Sequence, residues 1–189
     1  MLNAVVASGR FRLPALTAVF LAAVLLVGCP RVLYLDYRPS TSLKGQGPVQ
    51  VAAFTYAGHP TGLVKRREVE TGSKDFEALY LSQDISVFFA SAVKGELSRA
   101  GYDVRPDTSR TVSGTIEHFF LDYAGEDEQL FQIRVSFSVV RPDPQLYHAT
   151  CNHNRQQVKD WMKSGLIIEQ GVRTCIDQFL RDAQAAGAL

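Results

Sequence analysis

The sequence predicts a two-layer α+β domain: a mostly antiparallel sheet with two helices packed on one face, in the order (β)βαβββα. Three observations carry that prediction. Ile85, Phe88, Phe89, Ala92, Val93, Leu97 and Ala100 recur at helical spacing and make one apolar stripe over residues 84–100. Phe131, Ile133, Val135, Phe137 and Val139 alternate with Gln132, Arg134, Ser136 and Ser138, the pattern of a strand buried on one side only. Ile168, Val172, Cys175, Ile176, Phe179 and Leu180 place a second stripe on residues 166–183.

Taken from the N-terminus, the chain begins with an address. Residues 1–12 carry Arg10 and Arg12 and no acid, and residues 13–27 form an uncharged apolar run too short for a comfortable membrane span. The run ends in Leu26-Val27-Gly28-Cys29, which looks like a bacterial lipobox. Residues 1–28 therefore read as a lipoprotein signal peptide and Cys29 as the lipid attachment site. A single acyl chain binds a membrane only marginally, so stable anchoring there requires two or three chains. Pro30 follows the cysteine instead of the aspartate that retains many lipoproteins in the inner membrane, which favours the outer membrane, facing the periplasm. Loss of Arg10 and Arg12 takes the formal charge from +1 to −1, and nothing in that balance points to nucleic acid.

Residues 29–48 form a lipid-anchored N-terminal segment and residues 49–189 the periplasmic domain. A short strand is expected over residues 32–37, a loop over 39–48 and a strand over 49–56 with alternating side chains. Residues 57–81 show no sustained period. Gly58, Pro60, Gly62 and Gly72 punctuate them, and a long irregular stretch of that kind is usually functional or mobile. Ser82 is the expected N-cap of the first helix, and Gly101 stands where a C′ glycine ends one. Three strands follow: residues 111–123, rich in β-branched and aromatic side chains, 130–140, and 146–156, with connections at 124–127 and 141–144. After the second helix, residues 185–189 should fray.

With Cys29 acylated, Cys151 and Cys175 remain as an even pair in an oxidising compartment. Each lies on the apolar side of its own element, so the pair predicts a disulfide pinning the second helix to the sheet. Cys151, His153, Cys175 and His148 match no zinc spacing, and the two histidines fall on opposite strand faces. His59 and His118 stand alone. No G-x-S-x-G, Walker A or H-E-x-x-H pattern occurs, so neither an enzyme nor a cofactor is predicted. Partner contacts are expected at Tyr56 and Tyr123, where aromatic residues suit an interface, and at the basic cluster Lys65, Arg66 and Arg67.

The lipobox at 26–29, Leu33-Tyr-Leu-Asp-Tyr-Arg-Pro39, the strand at 49–54 with its long connection, and Val93-Lys-Gly-Glu-Leu-Ser-Arg-Ala-Gly-Tyr-Asp-Val104 together resemble the YajG-like family of bacterial lipoproteins. The cysteine pair departs from that pattern. The helix–glycine–strand piece also resembles lipopolysaccharide-assembly lipoproteins, peptidoglycan-synthase activators and auxiliary lipoproteins of transporters. The resemblance implies a non-catalytic envelope module that binds a protein or an envelope polymer. Its alternative is an accessory or plug lipoprotein in lipopolysaccharide transport or outer-membrane assembly, and a third reading is an enzyme whose site the sequence does not reveal.

Overall fold

A computed structural model describes residues 31–58, 62, 64–72, 78–123, 128–142, 146–158 and 164–189. The signal peptide and Cys29 lie outside the described residues, as do His59 and the connection at 124–127. In chain order the elements are β1 (Arg31–Leu33), β2 (Pro48–Tyr56), β3 (Glu68–Val69), β4 (Leu79–Leu81), α1 (Ile85–Ala100), β5 (Asp103–Val104), β6 (Thr111–Tyr123), β7 (Glu128–Val140), β8 (Leu146–Val158) and α2 (Ser164–Ala185).

Five strands form the main sheet in the order β5-β2-β6-β7-β8. The last three are antiparallel, as the alternation of β7 predicts, but β2 runs parallel to both β5 and β6. The sheet is therefore mixed: the expected antiparallel arrangement holds over β6, β7 and β8 and fails at β2 and β5. The reason is the connection. Helix α1 lies between β2 and its neighbours, and a helical crossover returns the chain in the same direction.

Both helices pack on one face of this sheet. Phe137 on β7 stacks on Phe179 of α2 with ring centroids 4.1 Å apart, and lies 5.9 Å from Phe89 of α1. Phe54 of β2 completes the group at 5.1 Å from Phe89. Each such ring, taken fully out of water, contributes up to about 3 kcal/mol. The other face carries Ser113, Thr115, Arg134, Ser136, Ser138, His148 and Thr150, half-buried or exposed, as a one-sided sheet requires.

Two bulges adjust which side chains face the helices. The β2–β6 register shifts between Val51 and Phe54, so the buried set is Val49, Val51, Phe54 and Tyr56 in place of a strict alternation. The β6–β7 register shifts between Ile116 and His118, which leaves Glu117 and His118 both off the helix-covered face while Ile116 and Phe119 stay buried.

The N-terminal region differs most from expectation. Only Arg31–Leu33 is strand, and it pairs in parallel with β4, which pairs antiparallel with β3, forming a separate sheet of order β1-β4-β3. Residues 57–81 thus contain two short strands. At the start of α1, Asp84 occupies the N-cap position in place of Ser82 and makes no side-chain cap; the main chain supplies the partner instead, with the Ile85 amide donating to the Arg66 carbonyl at 3.0 Å. Gly101 closes the helix in the left-handed conformation, φ 103°, as predicted.

Candidate functional site

The two helices run side by side in one direction. Their N-terminal ends adjoin β1: the Ser82 amide donates to the Leu33 carbonyl at 2.9 Å, and a Cβ on Gly165 would lie 3.9 Å from the Tyr34 carbonyl oxygen. Their C-terminal ends meet the loop before β2, where Gly45 N–H donates to Ala100 O at 2.8 Å and Gln184 Nε2 donates to Lys44 O at 3.0 Å. The segment from Tyr34 to Gly47 therefore runs the length of the helices.

Glu96 fastens that segment. It sits within the apolar stripe of α1, fully buried, and its carboxylate accepts from Tyr37 Oη at 2.7 Å, Ser40 N at 3.0 Å and Thr41 N at 2.8 Å. Arg173 on α2 brings its Nε to 4.0 Å from the same carboxylate, donates from Nη2 to Arg38 O at 3.0 Å and lies over the Tyr37 ring. A buried charge is tolerated when it is this fully hydrogen-bonded. Burial, and then the hydrogen bond to Glu96, push the Tyr37 phenol far above its ordinary value. Higher on α2, Glu169 accepts from Asp36 N at 3.0 Å, and burial raises its carboxyl. The sequence signal for this clamp is a glutamate at a stripe position of the helix, Glu96 between Val93 and Ala100.

At the end nearest β1, the structure brings several predicted contact residues into one corner and corrects their roles. Tyr56 is buried at 3% exposure, because the β2 bulge turns it inward. Its hydroxyl donates toward Glu68 O at 3.1 Å and Glu70 Oε1 at 3.0 Å, so it is a structural tyrosine and not an exposed contact. Burial, then the Glu70 carboxylate, raise its pKa. Lys65, Arg66 and Arg67 are exposed. Lys65 reaches Tyr80 Oη at 3.2 Å, which raises the ammonium pKa, and Arg67 Nε donates to Leu81 O at 2.7 Å. The backbone of Tyr123 pairs with Gln129, and its side chain lies outside the description. His118 is not alone: its Nδ1 is 2.5 Å from Glu70 Oε2, and its ring stacks on Phe120 at 5.2 Å. Glu70 also accepts from Phe119 N at 3.1 Å, so this carboxylate, tyrosine and imidazole tie the irregular 57–81 segment to β6.

Cys151 on β8 and Cys175 on α2 are joined in a disulfide, with Cα atoms 5.5 Å apart and both residues buried. His148 and His153 do lie on opposite faces of β8, His148 bonding Ser138 on the open face. Burial, then Arg155, lower the His153 pKa. Among the described residues no three His, Cys, Asp or Glu side chains gather as a metal site.

An open concavity lies at the opposite end from β1. It is an open groove of about 1020 Å³ between the loop before β2, the start of β6 and the end of α2, lined by Lys44, Gln46, Tyr102, Ser109, Arg110 and Gln184 among others. Tyr102 packs against Gly45, where a Cβ would fall 2.1 Å from its ring in the same place, so glycine is required for the loop to close on it. Arg110 Nε is buried without a hydrogen-bond partner among the described residues. Sequence reading missed this groove because its residues come from four distant segments.

No family model matches the chain, and no curated protein matches it. Solved structures do. A Xanthomonas campestris protein assigned to the DUF330 family has a TM-score of 0.64 at 12% identity, covering 82% of this chain and 96% of that one. The fold is shared. An uncharacterized protein has a TM-score of 0.56 at 15% identity, over 82% and 99%. Rare lipoprotein B of Shewanella oneidensis is more distant, at 0.46 and 8% identity over 73% and 96%. At such identities the first two likenesses speak for the fold alone, and none of the three shows the YajG-like family.

Proposed function

We propose that the protein is an envelope lipoprotein, anchored through acylated Cys29 in the outer membrane, facing the periplasm, and acting as a non-catalytic binding module. One observation supports this above the rest: the first strand of the described domain begins at Arg31, two residues after the lipobox cysteine, while an open groove of about 1020 Å³ lies at the far ends of the helices. On this reading the anchor and the binding groove belong to opposite ends of the helix pair. The groove offers Lys44 and Arg110 as cations with Tyr102, Ser109 and Gln184 as hydrogen-bonding groups, which suits a protein or envelope polymer with acidic groups. The resemblance to YajG-like lipoproteins belongs to this same reading.

Two experiments test it. A Cys29→Ala form should lose its acyl mass and stay unprocessed; normal processing without acylation would overturn the anchor. Photo-crosslinkers placed in vivo at Gln46 and Ser109 should capture a reproducible partner that a crosslinker at Thr150, on the open face of the sheet, does not. Equal capture from all three positions would sink the groove as the binding end. Capture of an outer-membrane barrel at the groove would select the transport or assembly accessory over the general module.

A further inference from the structure

We propose that the β1 end of the domain is a membrane-contacting foot, which holds the anchored protein upright against anionic phospholipid headgroups. The inference rests on the acylated Cys29 of the proposed function and adds to it a surface and an orientation.

Connectivity comes first. Only Pro30 separates Cys29 from β1, and two residues of extended chain span at most about 7 Å. A lipid on Cys29 therefore draws Arg31 to the headgroup layer, and whatever surrounds β1 must meet that layer as well. The surface found there is suited to it. Of the five large apolar side chains that are well exposed among the described residues, Tyr34 at 83%, Val87 at 52% and Leu166 at 48% belong to this end, while Val140 and Leu146 pair at the β7–β8 connection. Tyr34 follows β1 directly, while Val87 and Leu166 lie in the first turns of α1 and α2, whose N-termini adjoin β1. Exposed valine and leucine gain by entering an acyl boundary, and tyrosine favours the headgroup level.

Charge agrees with this placement. Arg31, Lys65, Arg66 and Arg67 are exposed at the same end, with the Arg66 carbonyl capping α1 and Arg67 bonded to Leu81. Among the described residues, the acids near this cluster are bonded within the fold: Asp36 pairs with Arg38, Glu68 accepts from the Lys65 amide, Glu70 holds His118 and Tyr56, and Glu169 accepts from the Asp36 amide. Asp84, half-buried, stands at the start of α1. Each cation close to an anionic leaflet adds about 1 kcal/mol of attraction. The lipid cannot peel β1 from the domain, since β1 pairs with β4 and Glu96 and Arg173 clamp residues 37–41 behind it to the helices.

The test uses the processed, full-length protein, with its mass read first for acylation of Cys29. It is reconstituted in vesicles of phosphatidylethanolamine with or without phosphatidylglycerol. An environment-sensitive fluorophore is placed on Val87→Cys, Leu166→Cys or, at the groove end, Ser109→Cys. The expected result is a blue-shifted emission, quenched by spin-labelled lipid, at 87 and 166 and neither effect at 109. Reversing Lys65, Arg66 and Arg67 to Glu should weaken quenching at 87 and 166 in the anionic vesicles while the protein stays anchored. Val87 and Leu166 are exposed, and an unchanged circular dichroism spectrum confirms that the labelled forms fold. An acylated protein whose labels at 87 and 166 are no more quenched than at 109 overturns the foot and leaves the anchor standing. A mass without acyl chains overturns the anchor, and the foot with it.

Discussion

At the scale of single residues, Glu96 does most to join the N-terminal segment to the domain. Removing its carboxylate strands one hydroxyl and two amides that now point into a buried site. Glu96→Ala is expected to cost about 3 kcal/mol in urea unfolding, and Glu96→Gln, which keeps one acceptor oxygen, about 1 to 2 kcal/mol. Hydrogen exchange should speed up at residues 37–45 in the alanine form before it does in β7; uniform acceleration would mean Glu96 serves the whole core instead. The tyrosines it and Glu70 hold give a pH signature. Tyr37 and Tyr56 have folded pKa values raised above the free value of 10.0. A raised value stabilises the fold fully below pH 10 and is lost as pH climbs above it, because the unfolded chain ionises first. Stability of the native protein should fall steeply above about pH 10, and the double variant Tyr37→Phe/Tyr56→Phe should show a shallower fall. An identical alkaline slope in the two proteins would refute that assignment.

At the scale of elements, the bridge between β8 and α2 closes a loop of sequence separation 24. By the chain-entropy account this adds about 3 kcal/mol, so Cys151→Ala/Cys175→Ala should melt roughly 6 to 12 °C lower. A change of only a degree or two by calorimetry would show that packing alone holds α2 in place. The elements also show what could be read beforehand. Helix α1, helix α2 and the β6–β8 ladder were legible because each is long enough for its buried stripe to repeat several times. Strands β3, β4 and β5, with two or three residues each, have no period to read and exist only through pairing with distant chain. The parallel direction of β2 was readable in principle, since a helix intervenes before its partner, but the strong alternation of β7 drew attention to the antiparallel half. Tyr56 was misplaced for a different reason: a bulge moves every later side chain of a strand to the opposite face, and the residues that make it, Ala52 and Ala53, give no sign of it.

At the scale of the whole molecule, the two ends of the helix pair in the described domain are unlike. Helix α1 has 16 residues, so about 24 Å separates its β1 end from its groove end. The sequence announced the anchor and the domain as separate pieces, but not this polarity, because Lys44, Tyr102, Arg110 and Gln184 converge only in three dimensions. If the short tether sets the height of the groove above the membrane, that height can be changed without touching the fold. Inserting twelve Gly/Ser residues between Pro30 and Arg31 adds a flexible leash of about 19 Å on average. The clamp at Glu96 and the pairing of β1 with β4 lie beyond the insertion, so the melting temperature should move by no more than about 1 °C. Crosslinking from Ser109 to a membrane-held partner should nevertheless fall severalfold, because the groove no longer stays at one distance from the bilayer. Undiminished crosslinking with an unchanged melting temperature would mean that the partner diffuses freely in the periplasm, and that the short tether serves only to retain the protein.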